Sequence, residues 1–503
     1  MAALLLGVPI TPESVAQTAE SATKAAIARV QSIDPQIHAV IALDPTAMDQ
    51  ARAIDRQRKA RGPLYGYAIL IKDNIETDGP LPTTAGSMAL LENVTHRDAP
   101  IVTRLRAGDA VILGKTNLSE WANIRSSASI SGWSAVGGQT RSPYALDRDP
   151  CGSSSGSGAA VAAGEVEAAI GTETDGSITC PAAINGVVGL KPTVGLVSRR
   201  RIVPISHSQD TPGPIAKDVA TAARVLSAIA GSDPDDPAAR QADAHIPDYL
   251  GALKPDALKG ARIGVLRFAT GWSAPTDKVF EQALGVLKAQ GATLVDITEF
   301  KDRDKIGAAE QVVLNTELKV DLNAYLATTP PAVMSRTLAD LIAFNTAHAD
   351  RELALFGQDT FIKAEATKGL DDPAYRTARE TSLRMAGREG IDAMLARDHL
   401  DALVCPTMPP AWKIDAVNGD QTSGGGAGGL AAVAGYPHLT VPMGAVMGLP
   451  VGLSFIGPAW SEARLLAYGY AYEHAADIKM SPRFEPSVES SVQIAPLLEP
   501  LTR

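Results

Sequence analysis

The chain has 503 residues, of which 45% are hydrophobic, 20% charged and 5% aromatic, and its formal net charge is -10. It is long enough to bury a large core, and its composition is that of an ordinary globular protein. The acidic balance, with no Lys/Arg-rich run, excludes a basic surface for nucleic acid or for an anionic membrane. The sequence contains no apolar stretch that could span a bilayer and no zinc-ligand spacing.

Two helices are predicted to open the chain. Thr11, Pro12 and Glu13 match an N-cap, an N1 proline and an acidic first turn, so an amphipathic helix is expected from there to about Ser32. A second helix is expected over residues 45–59. The initial MAALLLGVPI lacks the cationic segment of a signal peptide. The compartment is therefore left open: cytoplasmic, or periplasmic if a leader has been removed.

A buried strand that carries a lysine at its end is predicted over residues 67–75. Its sequence is YAILIKDNI, and Ala68 to Ile71 are uninterruptedly apolar, as in a strand buried on both faces. Lysine is rarely buried unless it has a partner or a task. Lys72 is therefore a candidate functional residue.

Helices and strands alternate along the following segments. Predicted helices cover residues 99–107, 158–166 and 217–230, and predicted strands cover residues 110–113, 168–172 and 187–190. Residues 125–144, rich in serine and glycine, are predicted to form a loop.

The second half of the chain begins with a β-α-β pattern. Strands are predicted over residues 261–266 and 292–297, with a helix over residues 276–290 between them, which favours a parallel pair. Residues 302–400 are mostly helical and more charged. Residues 401–405, HLTVPM and GLPVGLSFIG add three strands before a helix that begins near Ser461.

The stretch over residues 151–193 contains two serine- and glycine-rich clusters, CGSSSGSG and TETDGSITCPA. An Ala- and Val-rich segment separates them. Glycine permits close approach and unusual dihedral angles, so the pattern predicts two tight turns held apart by a buried helix and strand. The serines supply hydroxyls, and we interpret the stretch as a serine-based catalytic centre.

Two other serine motifs fit the sequence less well. GSSSG matches the G-x-S-x-G nucleophile elbow with Ser154 at its centre, but the sequence LDRDP at residues 146–150 precedes it where that motif needs an apolar strand. The elbow also needs a positioned histidine, and no candidate is evident. Ser21 to Lys24 match S-x-x-K, but on an N-terminal helix without the companion motifs.

A serine nucleophile requires a base, and the sequence indicates which kind. Carboxylates are too acidic, which leaves a neutral lysine whose pKa of about 10.4 has been lowered by burial or by nearby positive charge. Lys72, at the end of an apolar strand, is the best placed. Lys191, in GLKPT, is the competing candidate.

The three cysteines, Cys151, Cys180 and Cys405, are odd in number and widely spaced. Each lies among small or apolar residues. We expect them to be small buried hydrophobic residues without a disulfide framework.

Several motifs, in order along the chain, resemble those of the amidase-signature family. They are KDNI at residues 72–75, GKTNLSEWA at 114–122, the SSxGS cluster, GTETDGSITCPA, GLKPT, and the terminal AGYPHLTVPMG with GLPVGLSFIG. The resemblance spans nearly the whole chain. It implies an α/β amidase-signature fold, with a mixed central β-sheet covered by helices on both faces. We expect a single domain over residues 1–503, with residues 302–400 as a mostly helical excursion over one face.

The same resemblance implies a Ser-Ser-Lys triad that needs no metal and no cofactor. Ser177 matches the acyl-forming nucleophile, Ser153 the bridging serine preceded by a cis peptide bond, and Lys72 the base. The backbone N–H groups that match the oxyanion hole are those of Thr174, Asp175, Gly176 and Ser177. Ser154 is grouped with the substrate-binding residues and is expected either to hydrogen-bond the lysine or to satisfy its own turn.

Departures from the common motifs bear on the substrate. Asp175-Gly176-Ser177-Ile178-Thr179 stands where many members have G-G-S-I-R, and Cys151-Gly152 stands where they have a glycine pair. With residues 129–141 and 184–199, these departures resemble bacterial peptide amidases, which remove the C-terminal amide of a peptide and release ammonia. The alternatives are a general aliphatic or aryl amidase and the glutaminase-type subunit of an amidotransferase. The expected partner is a peptide amide or small amide, with no nucleic acid and no membrane, and the expected state is a monomer.

Residues near the motifs have competing interpretations. Structural roles are favoured for Glu173, Asn117 and Glu120. Trp121 and Trp133 suit a cleft wall and a packed core equally well. The glycine run over residues 424–429 is too glycine-rich for regular structure, and we favour a position at the border of the active site.

Overall fold

The computed structural model describes residues 18–57, 60–301, 303–422, 424–492 and 494–500. Its strands are β1 (Val40–Leu43), β2 (Ala68–Lys72), β3 (Val111–Thr116), β4 (Trp133–Ser134), β5 (Gly138–Gln139), β6 (Ala168–Glu173), β7 (Val188–Lys191), β8 (Thr211–Ala216), β9 (Arg262–Leu266), β10 (Thr293–Ile297), β11 (Ala402–Pro406), β12 (His438–Val446) and β13 (Leu449–Ile456). Its α-helices are α1 (Ala19–Ile37), α2 (Ala47–Asp55), α3 (Pro100–Ala107), α4 (Ser155–Ala162), α5 (Thr179–Ile184), α6 (Val219–Ile229), α7 (Ala274–Ala289), α8 (Arg303–Leu326), α9 (Leu338–Ala347), α10 (Ala349–Glu352), α11 (Asp359–Glu365), α12 (Pro373–Ala386), α13 (Asp392–Arg397), α14 (Gly428–Ala434), α15 (Glu462–Ala476) and α16 (Ala495–Leu498).

One large mixed sheet runs through the described chain, in the order β1-β3-β2-β6-β8-β7-β12-β13-β11-β9-β10. β2 pairs in parallel with both β3 and β6, whereas β8 pairs antiparallel with β6 and β7. The sheet therefore takes strands from both halves of the chain, and the predicted mixed α/β architecture is confirmed.

Helices cover both faces of this sheet. Along β2, Ile69 and Ile71 pack into a core that contains residues of α3 and α6, whereas Leu70 packs into a second core with residues of α1 and α4. Successive side chains of a strand point to opposite faces, so the two cores lie on opposite sides of the sheet. The uninterrupted apolar run that marked this strand in the sequence is explained, because both faces of the strand are buried.

The topology brings the two important turns to one edge of the sheet. Lys72 is the last residue of β2, and Glu173 is the last residue of its parallel neighbour β6. The carboxyl ends of parallel neighbouring strands lie together, and binding sites of open α/β sheets form at that edge. The chain that leaves β6 carries Ser177, and the serine cluster leads directly into α4, which begins at Ser155.

The second half of the chain follows its predicted pattern. β9, α7 and β10 form the β-α-β unit, with β9 and β10 parallel and Thr293 opposite Arg262. Helices α8 to α13 occupy the region predicted to be helical. Leu318 and Leu322 of α8 pack with Leu90 and Trp121, so this region adjoins the loops that follow the first strands.

Several predicted boundaries differ from the structure. The predicted start of the first helix at Thr11 lies outside the described residues, and α1 continues beyond Ser32 to Ile37. Asp302, the predicted start of the helical region, also lies outside them. Gly428 and Gly429 begin α14, so the glycine run is not entirely irregular. β8, with sequence TPGPIA, was missed because its two prolines lack the N–H that a ladder uses.

The prediction that the cysteines form no disulfide is wrong. Cys151 and Cys180 are joined by a disulfide, with their Cα atoms 6.0 Å apart and a sequence separation of 29. The spacing gave no signal because the pair is formed by the fold, which brings the two serine clusters together. Cys405 is a buried free thiol, as expected.

Among the described residues, no helix combines the length and the apolar character needed to cross a membrane.

Candidate active site

Lys72 lies fully buried between the two serine clusters. Its Nζ lies 2.7 Å from Ser153 Oγ, 3.0 Å from Ser154 Oγ and 2.9 Å from Thr172 Oγ1. Burial lowers the pKa of Lys72 from its usual value to about 7, and the negative charges of Asp210 and Glu173 oppose part of that change. Near neutral pH a large fraction of this amine is therefore unprotonated and carries a lone pair that can accept a proton.

Ser153 is presented to the lysine by a tight turn. The Gly152–Ser153 peptide bond is cis, and the carbonyl of Ser153 accepts a hydrogen bond from Ser119 N at 3.1 Å. A Cβ at Gly152 would lie 2.1 Å from Ser119 Oγ, so a side chain at this position would force Ser119 to move. The close approach of the backbone that the glycines of this cluster predict is therefore present in the structure.

Ser177 lies in the turn that follows β6 and is 9% exposed. Gly176 adopts a left-handed φ of 79°, and its carbonyl accepts a hydrogen bond from Cys180 N at 2.8 Å. The carbonyl of Ser177 accepts a hydrogen bond from Ser154 N at 3.2 Å, which ties this turn to the other serine cluster. Ser177, Ser153 and Lys72 are therefore brought to one edge of the sheet from three separate segments.

The N–H groups between β6 and Ser177 are free to bind a ligand. Those of Thr174, Asp175, Gly176 and Ser177 donate to no other residue of the described chain. Successive N–H groups around a left-handed glycine form a concave anion-binding turn. Such donors stabilise the oxyanion of an acyl-transfer intermediate, and the loss of one costs about 3 kcal/mol in activation free energy.

Glu173 stabilises the C-terminal side of this turn. Its Oε2 accepts hydrogen bonds from the N–H groups of Ile178 and Thr179 at 2.7 and 2.9 Å, at the start of α5. A carboxylate at a helix N-terminus satisfies donors that otherwise have no partner. The favoured structural role of Glu173 agrees with this geometry.

Ser154 contacts the lysine, and its hydroxyl is saturated. Its Oγ accepts from Lys72 Nζ and from Thr172 N, at 3.2 Å, and donates to Thr172 O at 3.1 Å. The hydroxyl of Ser154 therefore links the lysine to the end of β6.

Sequence reasoning missed three residues that surround Lys72. Thr172 Oγ1 accepts hydrogen bonds from Lys72 Nζ and from Asn74 Nδ2, the latter at 3.0 Å, and so fixes the direction of the amine. Asp210, far along the chain, contributes the negative charge noted above and accepts a hydrogen bond from Thr174 Oγ1 at 2.6 Å. Asn74 lies in KDNI and Thr172 directly precedes Glu173, so both had a local signal, whereas Asp210 had none.

A cavity of about 240 Å³ opens beside these residues. Asn74, Thr172 and Thr174 line it on the side of the lysine. The remaining wall is mostly apolar and includes Ile202, Val203, Ile205 and Pro212, and its rim carries Arg199, His207 and Asp321. An apolar pocket with a few polar groups beside a reactive centre is the usual form of a small-ligand site.

Other residues considered from the sequence mostly have structural roles. Asn117 Nδ2 donates to Gly138 O at 3.0 Å, and Glu120 Oε1 lies 3.1 Å from Arg125 Nε. Trp121 and Trp133 pack edge-on against Phe361 and Phe356 in buried clusters, so they belong to the core.

The glycine run lies partly at the site. A Cβ on Gly429 would lie 3.4 Å from Asp175 Oδ2, which places the start of α14 against the turn of Ser177. The prediction that this run borders the candidate site agrees with that contact.

His207, Glu317 and Asp321 form a cluster of potential metal ligands at the rim of the cavity. Both ring nitrogens already contact carboxylates, with Nδ1 2.9 Å from Asp321 Oδ2 and Nε2 3.3 Å from Glu317 Oε1. The hydrogen bond with Asp321 raises the pKa of His207 above its usual value. This arrangement fits an imidazolium ion pair, because a metal would require at least one ring nitrogen to be unprotonated.

Comparison with known proteins identifies the family of this chain. The family model of the amidases matches residues 21–466, and the chain belongs to the amidase-signature family. The protein is therefore an amide-hydrolysing enzyme, and the family resemblance inferred from the motifs is confirmed.

Individual relatives cover almost the whole chain. A probable amidase of Arabidopsis thaliana is 39% identical over 468 residues, which covers 90% of this chain and 86% of that protein. A glutamyl-tRNA(Gln) amidotransferase subunit of Roseiflexus castenholzii is 37% identical over 492 residues, covering 90% of this chain and 92% of that protein. The crystal structure of the native peptide amidase from Stenotrophomonas maltophilia has 50% identity and a TM-score of 0.87, covering 93% of this chain and 96% of that one.

Proposed function

We propose that this enzyme hydrolyses the C-terminal amide of peptides through an acyl-Ser177 intermediate, with Ser153 and Lys72 completing a Ser-Ser-Lys triad. The observation that carries the proposal is the buried amine of Lys72, 2.7 Å from Ser153 Oγ, with its pKa lowered to about 7. A neutral amine in contact with a serine hydroxyl is the base that the two serines need.

The proposed reaction has two symmetrical halves. Ser177 Oγ attacks the carbonyl carbon while its proton passes to Ser153 Oγ, and the proton of Ser153 passes to Lys72 Nζ. The free N–H groups over residues 174–177 hold the resulting oxyanion. The C–N bond then breaks as the proton returns through Ser153 to the leaving nitrogen, and ammonia departs. Water repeats the sequence on the acyl-enzyme, which releases the acid and restores Ser177.

Two observations support a peptide amide as the substrate. The sequence departures around Ser177 resemble the peptide amidases, and a structure with 50% identity over 93% of this chain is a peptide amidase. The cavity beside the lysine offers a largely apolar wall for the acyl part of a substrate. A general aliphatic or aryl amidase would use the same catalytic groups and would differ in accepting amides that have no peptide portion.

The second candidate is the glutaminase-type subunit of an amidotransferase. The 37% identity with a glutamyl-tRNA(Gln) amidotransferase subunit over 90% of this chain favours it. Such a protein would release ammonia from glutamine, and its rate would depend on its partner chains. If the isolated chain hydrolyses an amidated peptide faster than it hydrolyses glutamine, this candidate is contradicted.

The substrate prediction can be tested with one peptide in several forms. The purified enzyme is incubated with the C-terminal amide, the methyl ester and the free acid of the same peptide, and the products are separated by mass spectrometry. We expect the amide to be converted to the acid with release of ammonia, and all internal bonds to stay intact. Benzamide and acetamide serve as matched small amides. Faster turnover of these than of the peptide amide would favour a general amidase.

The lowered pKa of Lys72 predicts the pH dependence of the reaction. Because the base must be unprotonated, kcat/KM should rise with pH, with a midpoint near 7, and activity should be lost as pH falls below that midpoint. Stopped initial-rate assays between pH 5 and 9 on the free enzyme measure this limb.

A charge variant assigns the limb to its group. Asp210→Asn removes a negative charge that raises the pKa of Lys72, so the midpoint should move to lower pH. The charges that shift the pKa of Lys72 are those of Asp210 and Glu173 and not that of His207, so His207→Gln should leave the midpoint in place. If the midpoint shifts in His207→Gln and is unchanged in Asp210→Asn, the assignment of the limb to Lys72 is contradicted.

The domain prediction belongs to the same proposal. We propose one amidase-signature domain over residues 1–503, with residues 302–400 as its helical excursion. The support is that a single sheet takes strands from Val40 to Ile456.

A further inference from the structure

The two serine clusters are joined by a covalent bond that the proposed reaction does not use. Cys151 lies two positions before Ser153, and Cys180 lies three positions after Ser177. Their disulfide spans 29 positions, and both residues are buried, so it forms part of the packed interior.

Each cysteine is coupled to its serine through a short and restrained backbone. Cys151 N donates to Asp149 Oδ1 at 2.7 Å, and the following residue, Gly152, packs closely against Ser119. Cys180 N donates to Gly176 O at 2.8 Å, directly beside the nucleophile. A displacement of either sulfur is therefore transmitted to the adjacent serine over only two or three residues.

The disulfide and Lys72 adjoin the serine turns in different environments, one apolar and one polar. Cys151 and Cys180 belong to an apolar cluster with Tyr144, Ile184 and Trp412, whereas Lys72 sits in a polar surrounding of hydroxyls. Between the turns, the hydrogen bond from Ser154 N to Ser177 O is a second tie, at 3.2 Å. Ser154 Oγ also bonds the main chain of Thr172, at the end of β6. Each of these hydrogen bonds contributes only about 1 kcal/mol, whereas the disulfide is a covalent restraint on the separation of the two serine turns.

Resting on the proposed Ser177–Ser153–Lys72 relay, we propose that the Cys151–Cys180 disulfide is a positioning cross-link for the proton relay, so that catalysis is sensitive to thiol reduction. Two electrons and two protons from a dithiol convert the cystine into two thiols, and the dithiol becomes its own disulfide. The serine turns then lose their covalent restraint. Misplacement of reacting groups by about 1 Å can cost on the order of 10²-fold in rate.

The first test uses the native enzyme before and after anaerobic treatment with dithiothreitol. Titratable thiols in denatured samples should rise from one, Cys405, to three. We expect kcat on the amidated peptide to fall about 10-fold or more, with KM changed by less than about 2-fold, since positioning acts on the chemical step. Oxidised glutathione should restore both the disulfide and kcat. A fully reduced enzyme that retains its kcat overturns the inference.

A second readout does not depend on the identity of the substrate. A fluorophosphonate forms a bond from serine Oγ to phosphorus and expels fluoride, so its rate of addition reports how well the nucleophile is activated. Reduction should slow this labelling by a similar factor. If labelling depends on the disulfide while no amide is hydrolysed, the substrate proposal fails and the cross-link stands. If labelling and hydrolysis both ignore the disulfide, the cross-link fails.

Variants cover the case in which the buried bond resists the reductant. Cys151→Ser with Cys180→Ser keeps the size of both side chains and removes the bond, and it should show the low kcat of the reduced enzyme without any response to dithiothreitol. Cys405→Ser is the matched control and should retain both the activity and the redox response. Melting curves separate the two explanations, because the loss of a disulfide that only stabilises the fold would lower the melting temperature and leave kcat at temperatures below it unchanged.

Discussion

Replacing Ser177 by alanine is expected to reduce kcat on an amide by about 10⁴- to 10⁶-fold, because the variant cannot form the acyl-enzyme. The free N–H groups over residues 174–177 remain in place and should still bind the substrate carbonyl. KM should therefore change little. Initial rates and intact-mass spectrometry after addition of a fluorophosphonate check the result, since the variant should gain no covalent adduct.

Ser157→Ala is the matched control for this substitution. Ser157 is also buried, in α4, where its Oγ donates to Ile170 O at 3.1 Å and lies 2.8 Å from Thr116 Oγ1. Its loss should cost about 1–2 kcal/mol of stability and removes no catalytic group. This control should label and turn over normally. A Ser177→Ala enzyme that retains covalent labelling and turnover would mean that another serine is the nucleophile.

The parts of the fold that could be predicted from the sequence are those in which local pattern and tertiary burial agree. The apolar run of β2 marked a strand buried on both faces, and the β9-α7-β10 alternation marked a parallel unit. β8 was hidden because Pro212 and Pro214 contradict the usual signal, although the strand lies inside the sheet between β6 and β7. Its position depends on pairing with distant strands, which no local window contains.

The residues of the candidate site also divide into those with a local signal in the sequence and those without one. Lys72, Ser153 and Ser177 each carry a local signal, namely a lysine that ends an apolar strand and serines in glycine-rich turns. Asp210 has no such signal, because its effect on the pKa of Lys72 arises only when the chain folds it beside the lysine. Thr172 lies within a predicted strand, but which face it presents depends on the sheet.

The disulfide was missed for a related reason. Cys151 and Cys180 lie in the two serine clusters, so the reasoning that brought Ser153 close to Ser177 also brings the two sulfurs close. Treating the cysteines by their number and spacing concealed that consequence. In the structure, the proposed reactive pair and the covalent pair share the same two turns.

Replacing Lys72 by methionine is expected to lower kcat by about 10⁴-fold, because neither serine then has a group that accepts its proton. Methionine nearly preserves the volume of the buried side chain, so the variant should fold, which circular dichroism and the melting curve check. Lys72→Arg provides a sharper comparison, since a guanidinium keeps the positive charge and cannot be deprotonated. Both variants should therefore be inactive, and the limb of the pH–rate profile near pH 7 should disappear.

Chemical rescue distinguishes a base from a structural residue. Lys72→Ala leaves a void in contact with Ser153, and added ethylamine should restore part of kcat, increasingly at pH values where the amine is unprotonated. Lys191→Met tests the competing lysine, which is also buried and whose pKa is lowered to about 8 by burial. Lys191 Nζ donates to Pro192 O at 3.1 Å. The activity that Lys191→Met retains should have a pH–rate profile whose midpoint stays near pH 7. If instead that limb disappears in Lys191→Met and persists in Lys72→Met, Lys191 is the base.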